Sequence, residues 1–529
     1  MKVLITDKIN ESAGKILDGV AEAVFLPTMS EDELAEKIVD FDALMVRSQT
    51  KVTKKILDAA KNLKIVGRAG VGVDNIDIEA ATQNGIIVVN SPDGNTNAAA
   101  EHTIALMLSM VRNIPVAAKS TKEQQWERSK FTGVEVYGKT LGIIGFGKIG
   151  SHVAKVAIAL GMNVVVSDPY TTQEIVEKAG AKYVNSLDEL WGQCDFITVH
   201  VPKTKETLHM INRDTISKMK KGVRLINCAR GGIIDENDLK EAIESGYVAG
   251  AAIDVYENEP DMTKCPLTGC GSNVVLTPHL GASTKEAQLN VAIDVAEQIR
   301  DVLSGGSAKA AVNIPALKPS VLEPVKDYMC LAEDLGSLAF QLSSGNIKSI
   351  NITVCGNLSE LDVSPLEIAV LKGVFESVDE GVNYVNAPII SKKRGINVIT
   401  SKSKQDCSYL GTITVNLTTD KEVQSVTGAL IAKNMPRIVE INEHKMSIEP
   451  DEHILVVPHV NKPGMIAQVA SVIGHDNVNI SKMHVADNTG NGKLSIMLII
   501  IDSPVNAETL NMISKIDGIS NAKYIHLYA

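Results

Sequence analysis

Residues 139–170 read KTLGIIGFGKIGSHVAKVAIALGMNVVVSDPY. An apolar run, Thr140 to Ile144, leads into Gly145-Phe146-Gly147-Lys148-Ile149-Gly150. An apolar-periodic stretch follows, and a second β-branched run, Asn163 to Ser167, ends at Asp168. Strand, glycine turn, helix, strand and terminal acid in one short unit make a βαβ dinucleotide-binding pattern. Gly145 permits the tight turn, Gly147 lets the backbone approach a pyrophosphate, and Gly150 lets helix and strand pack closely. The helix start offers free amides and the positive end of the helix dipole to phosphate. A carboxylate at 168 can accept both hydroxyls of a ribose and would repel a 2′-phosphate, so the cofactor expected is NAD rather than NADP.

Outward from this unit, the first 300 residues alternate short β-branched runs (Val3 to Thr6, Ala43 to Arg47, Ile65 to Gly67, Ile86 to Asn90) with helical stretches such as Glu31 to Val39. Such alternation predicts parallel sheets covered by helices. Ala98 to Ala118 reads as one connecting helix, Thr140 to about Thr277 as a second β/α series, and Leu289 to Leu303 as a further helix. Gly305-Gly306 and the Pro-punctuated stretch Ser307 to Pro319 read as a linker. From there the pattern changes to long helices (Val321 to Ser343, Pro365 to Glu380) and alternating strands (Ile347 to Cys355, Gly411 to Leu417, Arg437 to Ile441), an α+β domain over 312–450. The last segment has the order β-α-β-β-α-β, the ferredoxin-like arrangement. The expected fold class is therefore α/β with two Rossmann-like parallel-sheet units, then an α+β domain, then a ferredoxin-like domain.

With 529 residues, 44% of them hydrophobic and 22% charged, the chain can bury several cores, about three or four domains' worth. A formal charge of −11 argues against a broad grip on nucleic acid or an anionic membrane. The seven cysteines, Cys194, Cys228, Cys265, Cys270, Cys330, Cys355 and Cys407, are scattered without a Cys-x-x-Cys pair, which fits free thiols in a reducing cytoplasm and no metal site. The start, MKVLITDKIN, is unlike a signal peptide, and the densest apolar run is too short for a membrane span.

Three segments place polar groups where strands of the second unit should end: Asn227-Cys228-Ala229-Arg230-Gly231-Gly232, Asp254 to Pro260, and Thr277-Pro278-His279-Leu280-Gly281-Ala282. Ligands in doubly wound sheets bind outside the carboxyl ends of strands, so these groups should converge over a nicotinamide. Arg230 suits a planar carboxylate, held by two parallel hydrogen bonds. His279 can take a hydroxyl proton as hydride leaves the carbon, and Glu259 can fix its tautomer and favour the imidazolium.

Residues 1 to about 310, with GRAGVGVDNID, GFGKIG, SDPY, NCARGGIIDE, DVYENEP and TPHLGAST, resemble the D-2-hydroxyacid dehydrogenases, and among them most closely the phosphoglycerate dehydrogenases of serine biosynthesis. The resemblance implies NAD-dependent oxidation of D-3-phosphoglycerate to 3-phosphohydroxypyruvate, with Arg230, Glu259 and His279 catalytic. It implies an NAD site lined by Lys148, Ile149, Asp168, Val201, Cys228, Ala229, Asp254, Gly281 and Ala282 beside the three glycines. It also implies a split substrate domain (1–95 with 285–305) around an NAD domain (96–284), and substrate contacts from Arg47, Arg68, Val71 and Asn95. Arg128 is expected to reach a neighbouring subunit's site in a homodimer or homotetramer. Val71 stands where many relatives carry threonine, which removes a hydroxyl contact.

The segment 453–529 resembles the ACT domain of these enzymes, in which L-serine binds between paired domains. His459, Asn461 and Asn479 match that site in spacing, so serine is expected as a feedback inhibitor. The 312–450 segment resembles the extra module of the long forms. There Arg437 is a basic candidate, and Lys445 and Glu449 occupy places where basic, anion-binding groups are expected; Glu449 would repel phosphate, and no ligand is assigned. Two other readings share the same residues. One is a dehydrogenase for glycerate, lactate or 2-hydroxyglutarate; the other is a non-enzymatic, NAD-sensing corepressor, against which the ACT-like tail argues.

Overall fold

The computed structural model describes residues 1–379, 381–404, 408–486 and 494–527. The first sheet contains β1 (Lys2–Ile5), β2 (Glu22–Phe25), β3 (Ala43–Val46), β4 (Ile65–Arg68) and β5 (Ile87–Asn90) in the order β2-β1-β3-β4-β5, all pairs parallel. Its inner strands are continuous apolar runs because helices cover both faces; all four residues of β3 are buried. The 19-residue helix Lys285–Leu303, capped by the Thr284 hydroxyl, packs here and not on the second sheet. The fit is tight: a Cβ on Gly67 would stand 2.4 Å from a Val295 methyl.

The second sheet contains β6 (Thr140–Ile144), β7 (Asn163–Ser167), β8 (Lys182–Tyr183), β9 (Phe196–Val199), β10 (Val223–Asn227), β11 (Val248–Ile253) and β12 (Val274–Leu276). Its order, β12-β11-β10-β9-β6-β7-β8, is parallel throughout and reverses beside β6, which opens a crevice at the carboxyl ends of β6 and β9. Apolar clusters lie on both faces of the sheet.

The third sheet contains β13 (Ile347–Gly356), β14 (Asn397–Ser403), β15 (Gly411–Thr419), β16 (Val423–Ala432), β17 (Met435–Ile441) and β18 (His444–Ile448). Their order is β14-β13-β15-β16-β17-β18, antiparallel except for β13 with β14. The fourth contains β19 (His453–His459), β20 (Ile480–Ala486), β21 (Ser495–Ile501) and β22 (Lys523–His526) in the antiparallel order β20-β21-β19-β22, the ferredoxin-like order. One face carries the helices Met465–His475 and Ala507–Ser514. The other face joins the third sheet's core: Ile454, Val456, Leu498 and Ile525 share one apolar cluster with Leu335 and Ile352.

The fold class is the expected one, and the differences are local. The connecting helix is two helices, Thr96–Val111 and Ile114–Lys122, parted at Asn113, whose φ is 52°. Pro115 has no amide to continue the first helix and instead sits in the first turn of the second. The helix expected from Val321 begins at Met329, because Pro324 interrupts it after a short turn at Pro319–Leu322. The proposed linker is no free tether: Ala311 bridges Val89, the Val312 amide donates to Val88 O at 2.8 Å, and the Asn313 carboxamide accepts from the Val88 amide at 2.9 Å. It closes the edge of the first sheet at β5. In the third sheet three strands, β14, β16 and β18, escaped the sequence pattern, as β2 did in the first. Cys407 lies outside the described residues. Among those residues no helix is long and apolar enough to cross a membrane.

Candidate active site

The glycine turn leaves β6 with Gly145 at φ 94°, a conformation that side chains rarely adopt. At Gly150 a Cβ would lie 2.1 Å from Gly145 O, so the protein's own packing demands glycine there. Gly147 differs. It starts the helix Lys148–Ala159 with an ordinary φ of −72°, and a Cβ there would meet no atom of the described residues within 4 Å. Its lack of a side chain is unexplained by the fold and fits a phosphate group at the helix start. The Asp168 carboxylate accepts from the Phe146 amide at 2.6 Å and the Tyr170 amide at 2.7 Å, which ties the acid to the turn. Val201 lies against Gly145, and Lys148 forms an ion pair with Asp93. Asp93 follows β5, so that pair joins the two lobes. These residues suit NAD: a bare helix start for pyrophosphate and an oriented acid for ribose.

His279 Nδ1 lies 2.7 Å from Glu259 Oε2, and Glu259 Oε1 accepts from the Tyr256 amide at 2.7 Å. With one oxygen on the backbone and the other on the imidazole, the carboxylate has no freedom to swing. The His279 side chain is 46% exposed, which leaves Nε2 open to the cleft. Its backbone has φ 55°, uncommon for a non-glycine residue. The loop holds that shape around Asp254. The His279 amide donates to Asp254 O at 2.9 Å, and the fully buried carboxylate accepts from the Leu280 amide (2.8 Å), the Gly281 amide (2.9 Å) and the Thr277 hydroxyl (2.6 Å). Burial raises the Asp254 carboxyl, but His102, Thr277 and the Leu280 amide outweigh it and hold it below the usual carboxylate range. Asp254 is thus the anchor of the His279 loop as well as a candidate cofactor contact. Cys228 lies at the end of β10; burial pushes its thiol up to about 12, so it is a neutral, apolar wall and no nucleophile. Ala229 and Arg230 follow in a turn pinned by Asn227, whose side chain accepts from the Ala229 amide and donates to Arg230 O, each at 2.9 Å. Ala282 is half-buried beyond Gly281.

Across the cleft the first lobe contributes cations. Arg230 Nε donates to Asp74 at 3.1 Å and Nη1 to Ala229 O at 2.7 Å. Its Nη2 lies over Gly72, where a Cβ would be 2.0 Å away. Arg68 is depressed to about 10, first by burial and then by the charges of Arg230 and Arg47, with Asp74 and Asp7 opposing. Its Nε is buried without a hydrogen-bond partner among the described residues, and so is Oδ1 of Asn95. Arg68 thus sits beside two other cations with a buried donor that no described residue satisfies, a setting whose chemistry suits an anion. Arg47 is placed by its amide, which donates to Asp7 at 2.9 Å. Val71 presents its carbonyl, which accepts from Asn90. Arg128 lies apart, on the exposed turn Arg128–Phe131, without a contact to these groups. Sequence reasoning missed Asp74, Asp93, His102 and Tyr256. Asp74 and Tyr256 sit inside motifs already singled out, but nothing local reveals a partner 156 residues away, as Arg230 is from Asp74.

In the terminal sheet, His459 is the last residue of β19; its ring is buried and Nδ1 lies 3.2 Å from Val457 O. Asn461 is exposed in the loop before the helix Met465–His475. The Asn479 amide donates to Asp502 at 3.1 Å, just before β20. His459 pairs with Ser495 and Ile480 with Ile501, so the two sites stand at opposite ends of β21. Six residues of strand separate them, about 20 Å.

A nicotinamide cradle facing an oriented imidazole, with an arginine cluster opposite, defines a dehydrogenase of 2-hydroxyacids. Comparisons agree. The model of the D-isomer specific 2-hydroxyacid dehydrogenase NAD binding domain matches residues 104–281, and that of the D-3-phosphoglycerate dehydrogenase intervening domain matches 324–442. The chain is 48% identical to the D-3-phosphoglycerate dehydrogenase of Synechocystis sp., over 99% of this chain and 95% of that protein. It is 43% identical to that of Methanocaldococcus jannaschii, over the whole of both. Among solved structures, NAD+-bound 3-phosphoglycerate dehydrogenase of Entamoeba histolytica aligns at TM-score 0.51 with 31% identity, covering 59% of this chain and 98% of that one. The D-lactate dehydrogenase of Aquifex aeolicus, complexed with NAD and lactic acid, aligns at 0.52 with 30% identity, covering 57% and 96%. The chain belongs to the D-3-phosphoglycerate dehydrogenase family. It is an NAD-dependent oxidoreductase acting on a small molecule.

Proposed function

We propose that the chain oxidises D-3-phosphoglycerate to 3-phosphohydroxypyruvate, the first committed step of L-serine biosynthesis, in the cytoplasm. The observation that carries this reading is the cluster of Arg68, Arg47 and Arg230, which holds more positive charge than one carboxylate needs. Arg230 grips the substrate carboxylate through the guanidinium edge that Asp74 leaves open, while Arg47 and Arg68 meet the phosphate, with Val71 and Asn95 completing the pocket. His279 Nε2 takes the hydroxyl proton, and Glu259 supports the imidazolium that forms. NAD, when bound, accepts the hydride. The substrate lobe is residues 1–95 with 285–305 and the NAD lobe 96–284, followed by the 312–450 and 453–529 domains. Initial rates with phosphohydroxypyruvate and NADH test the reading. Arg68→Ala should weaken the phosphorylated substrate far more than an unphosphorylated analogue, and equal losses would contradict the assignment.

Regulation by L-serine is part of the same proposal. Because His459 and Asn461 stand about 20 Å along β21 from Asn479, one serine can touch all three only if Asn479 comes from a second chain. The effector site therefore lies between two subunits, which supports a homodimer or homotetramer. Arg128, exposed on its turn, serves a neighbouring subunit's cleft in this reading. Asn461→Ala should abolish serine inhibition and leave the uninhibited rate intact.

A further inference from the structure

We propose that Glu452, His453 and His526 bind a divalent transition-metal ion of the zinc type, which clips the first strand of the terminal sheet to its last. Among the described residues these three bring one ligand atom each to within 4.8 Å of one another. Glu452 Oε1 lies 3.7 Å from His453 Nε2 and 4.0 Å from His526 Nδ1. Ligands about 2.0 Å from a tetrahedral ion stand roughly 3.3 Å apart, so closure requires side-chain shifts of about 1 Å or less.

Three features prepare the group. The backbones are fixed, because His453 and His526 are directly opposed across β19 and β22, and the Leu527 amide donates to Glu452 O at 3.0 Å. His453 Nδ1 lies 2.7 Å from the Tyr524 hydroxyl, and with the ring donating to that oxygen its Nε2 lone pair is left on the Glu452 side for an ion. A hydrogen bond on the far ring nitrogen is the usual companion of a metal-binding histidine, since it sets ring orientation and basicity. Two imidazoles and one carboxylate, with no thiolate, suit zinc, and solvent completes the shell. Neither histidine belongs to the catalytic cleft or to the serine contacts.

The position gives the ion a structural consequence. The His526 amide donates to Gln341 Oε1 at 3.0 Å, and Gln341 Nε2 donates to His526 O at 2.7 Å. Gln341 belongs to the helix Met329–Leu342, so the clip sits where the terminal sheet docks on the third sheet's domain. An ion here stiffens that docking and leaves the dehydrogenase cleft untouched.

The experiment is zinc titration of the full-length, metal-stripped protein by calorimetry, alongside His453→Gln, His526→Gln and Glu452→Gln. The proposal expects one zinc ion per chain at a micromolar or lower dissociation constant. It expects weakening by at least roughly tenfold in each variant, tetrahedral absorption bands with cobalt(II), and an unchanged basal rate of NADH oxidation. Should a histidine variant misfold, Glu452→Gln decides alone, because its side chain is 63% exposed and the substitution keeps its size. No saturable binding in the wild type, or zinc affinity unchanged in the folded variants, overturns the proposal; the second result would place the ion on thiols or on His279.

Discussion

Replacing Gly147 and Gly150 separately by alanine divides the cofactor turn into the part the fold requires and the part the ligand requires. At Gly147 the φ of −72° suits alanine, and the new methyl meets no described protein atom within 4 Å. Stability should barely move: alanine gains about 0.4–1 kcal/mol from the unfolded chain and loses about as much as a poor helix cap. Cofactor binding should suffer. A methyl between helix start and pyrophosphate pushes the phosphate off one or two amides, worth about 1.5–3 kcal/mol in charge-assisted hydrogen bonds, or roughly 10–100-fold in affinity. At Gly150 the order reverses. A Cβ 2.1 Å from Gly145 O forces backbone apart, at about 1–3 kcal/mol or more, so the melting temperature falls first. Chemical denaturation read beside NADH fluorescence titration separates the two effects. If Gly147→Ala bound NADH as tightly as wild type, the glycine turn would not be the pyrophosphate seat.

Further expectations follow from named contacts. Glu259→Gln keeps the size of the side chain but removes the charge 2.7 Å from His279 Nδ1; kcat should drop about 10–100-fold, with KM little changed, in steady-state assays. Arg68→Met should raise the melting temperature of the cofactor-free protein, since it removes a cation disfavoured by burial and by Arg230; millimolar phosphate should stabilise the wild type and not this variant, read in the same melts. Asp334, raised to about 7 by burial and by Glu333, titrates higher in the folded protein than in the unfolded chain. The folded state then binds the extra proton, so stability falls as pH rises from the ordinary carboxylate range to about 7 and levels off above it. Asp334→Asn should flatten this slope and stabilise the protein at about pH 8 by on the order of 1–4 kcal/mol in denaturant melts. A slope unchanged by the substitution would assign the pH dependence to other groups.

The parts of the fold legible in the sequence are those whose cause is local. Gly145-Phe146-Gly147 announces itself because turn, helix start and terminal acid all lie within one βαβ unit, and the last six elements kept their order because each strand and helix has its own period. The split at Asn113 was hidden, since Ala98 to Ala118 keeps its apolar period through the break and only Pro115 hinted at it. β16 was missed because its alternation, from Val423 to Ala432, contains glycine, serine and threonine that read as loop. The segment 307–319 looked like a linker by composition, but Asn313 pairs with β5, more than 200 residues upstream, and no local pattern carries that. The site divides in the same way. Arg230, Glu259 and His279 could be named from flanking motifs, while their supports, Asp74 for Arg230 and Asp254 for the His279 loop, emerge only when distant strand ends converge.

The most direct test of the account is the initial rate of phosphohydroxypyruvate reduction with NADH, set beside the rate with NADPH and beside hydroxypyruvate as the unphosphorylated substrate. The account predicts strong preference for NADH, imposed by the Asp168 carboxylate, and for the phosphorylated ketoacid, imposed by Arg47 and Arg68. Equal rates with both cofactors, or faster turnover of hydroxypyruvate, would contradict it.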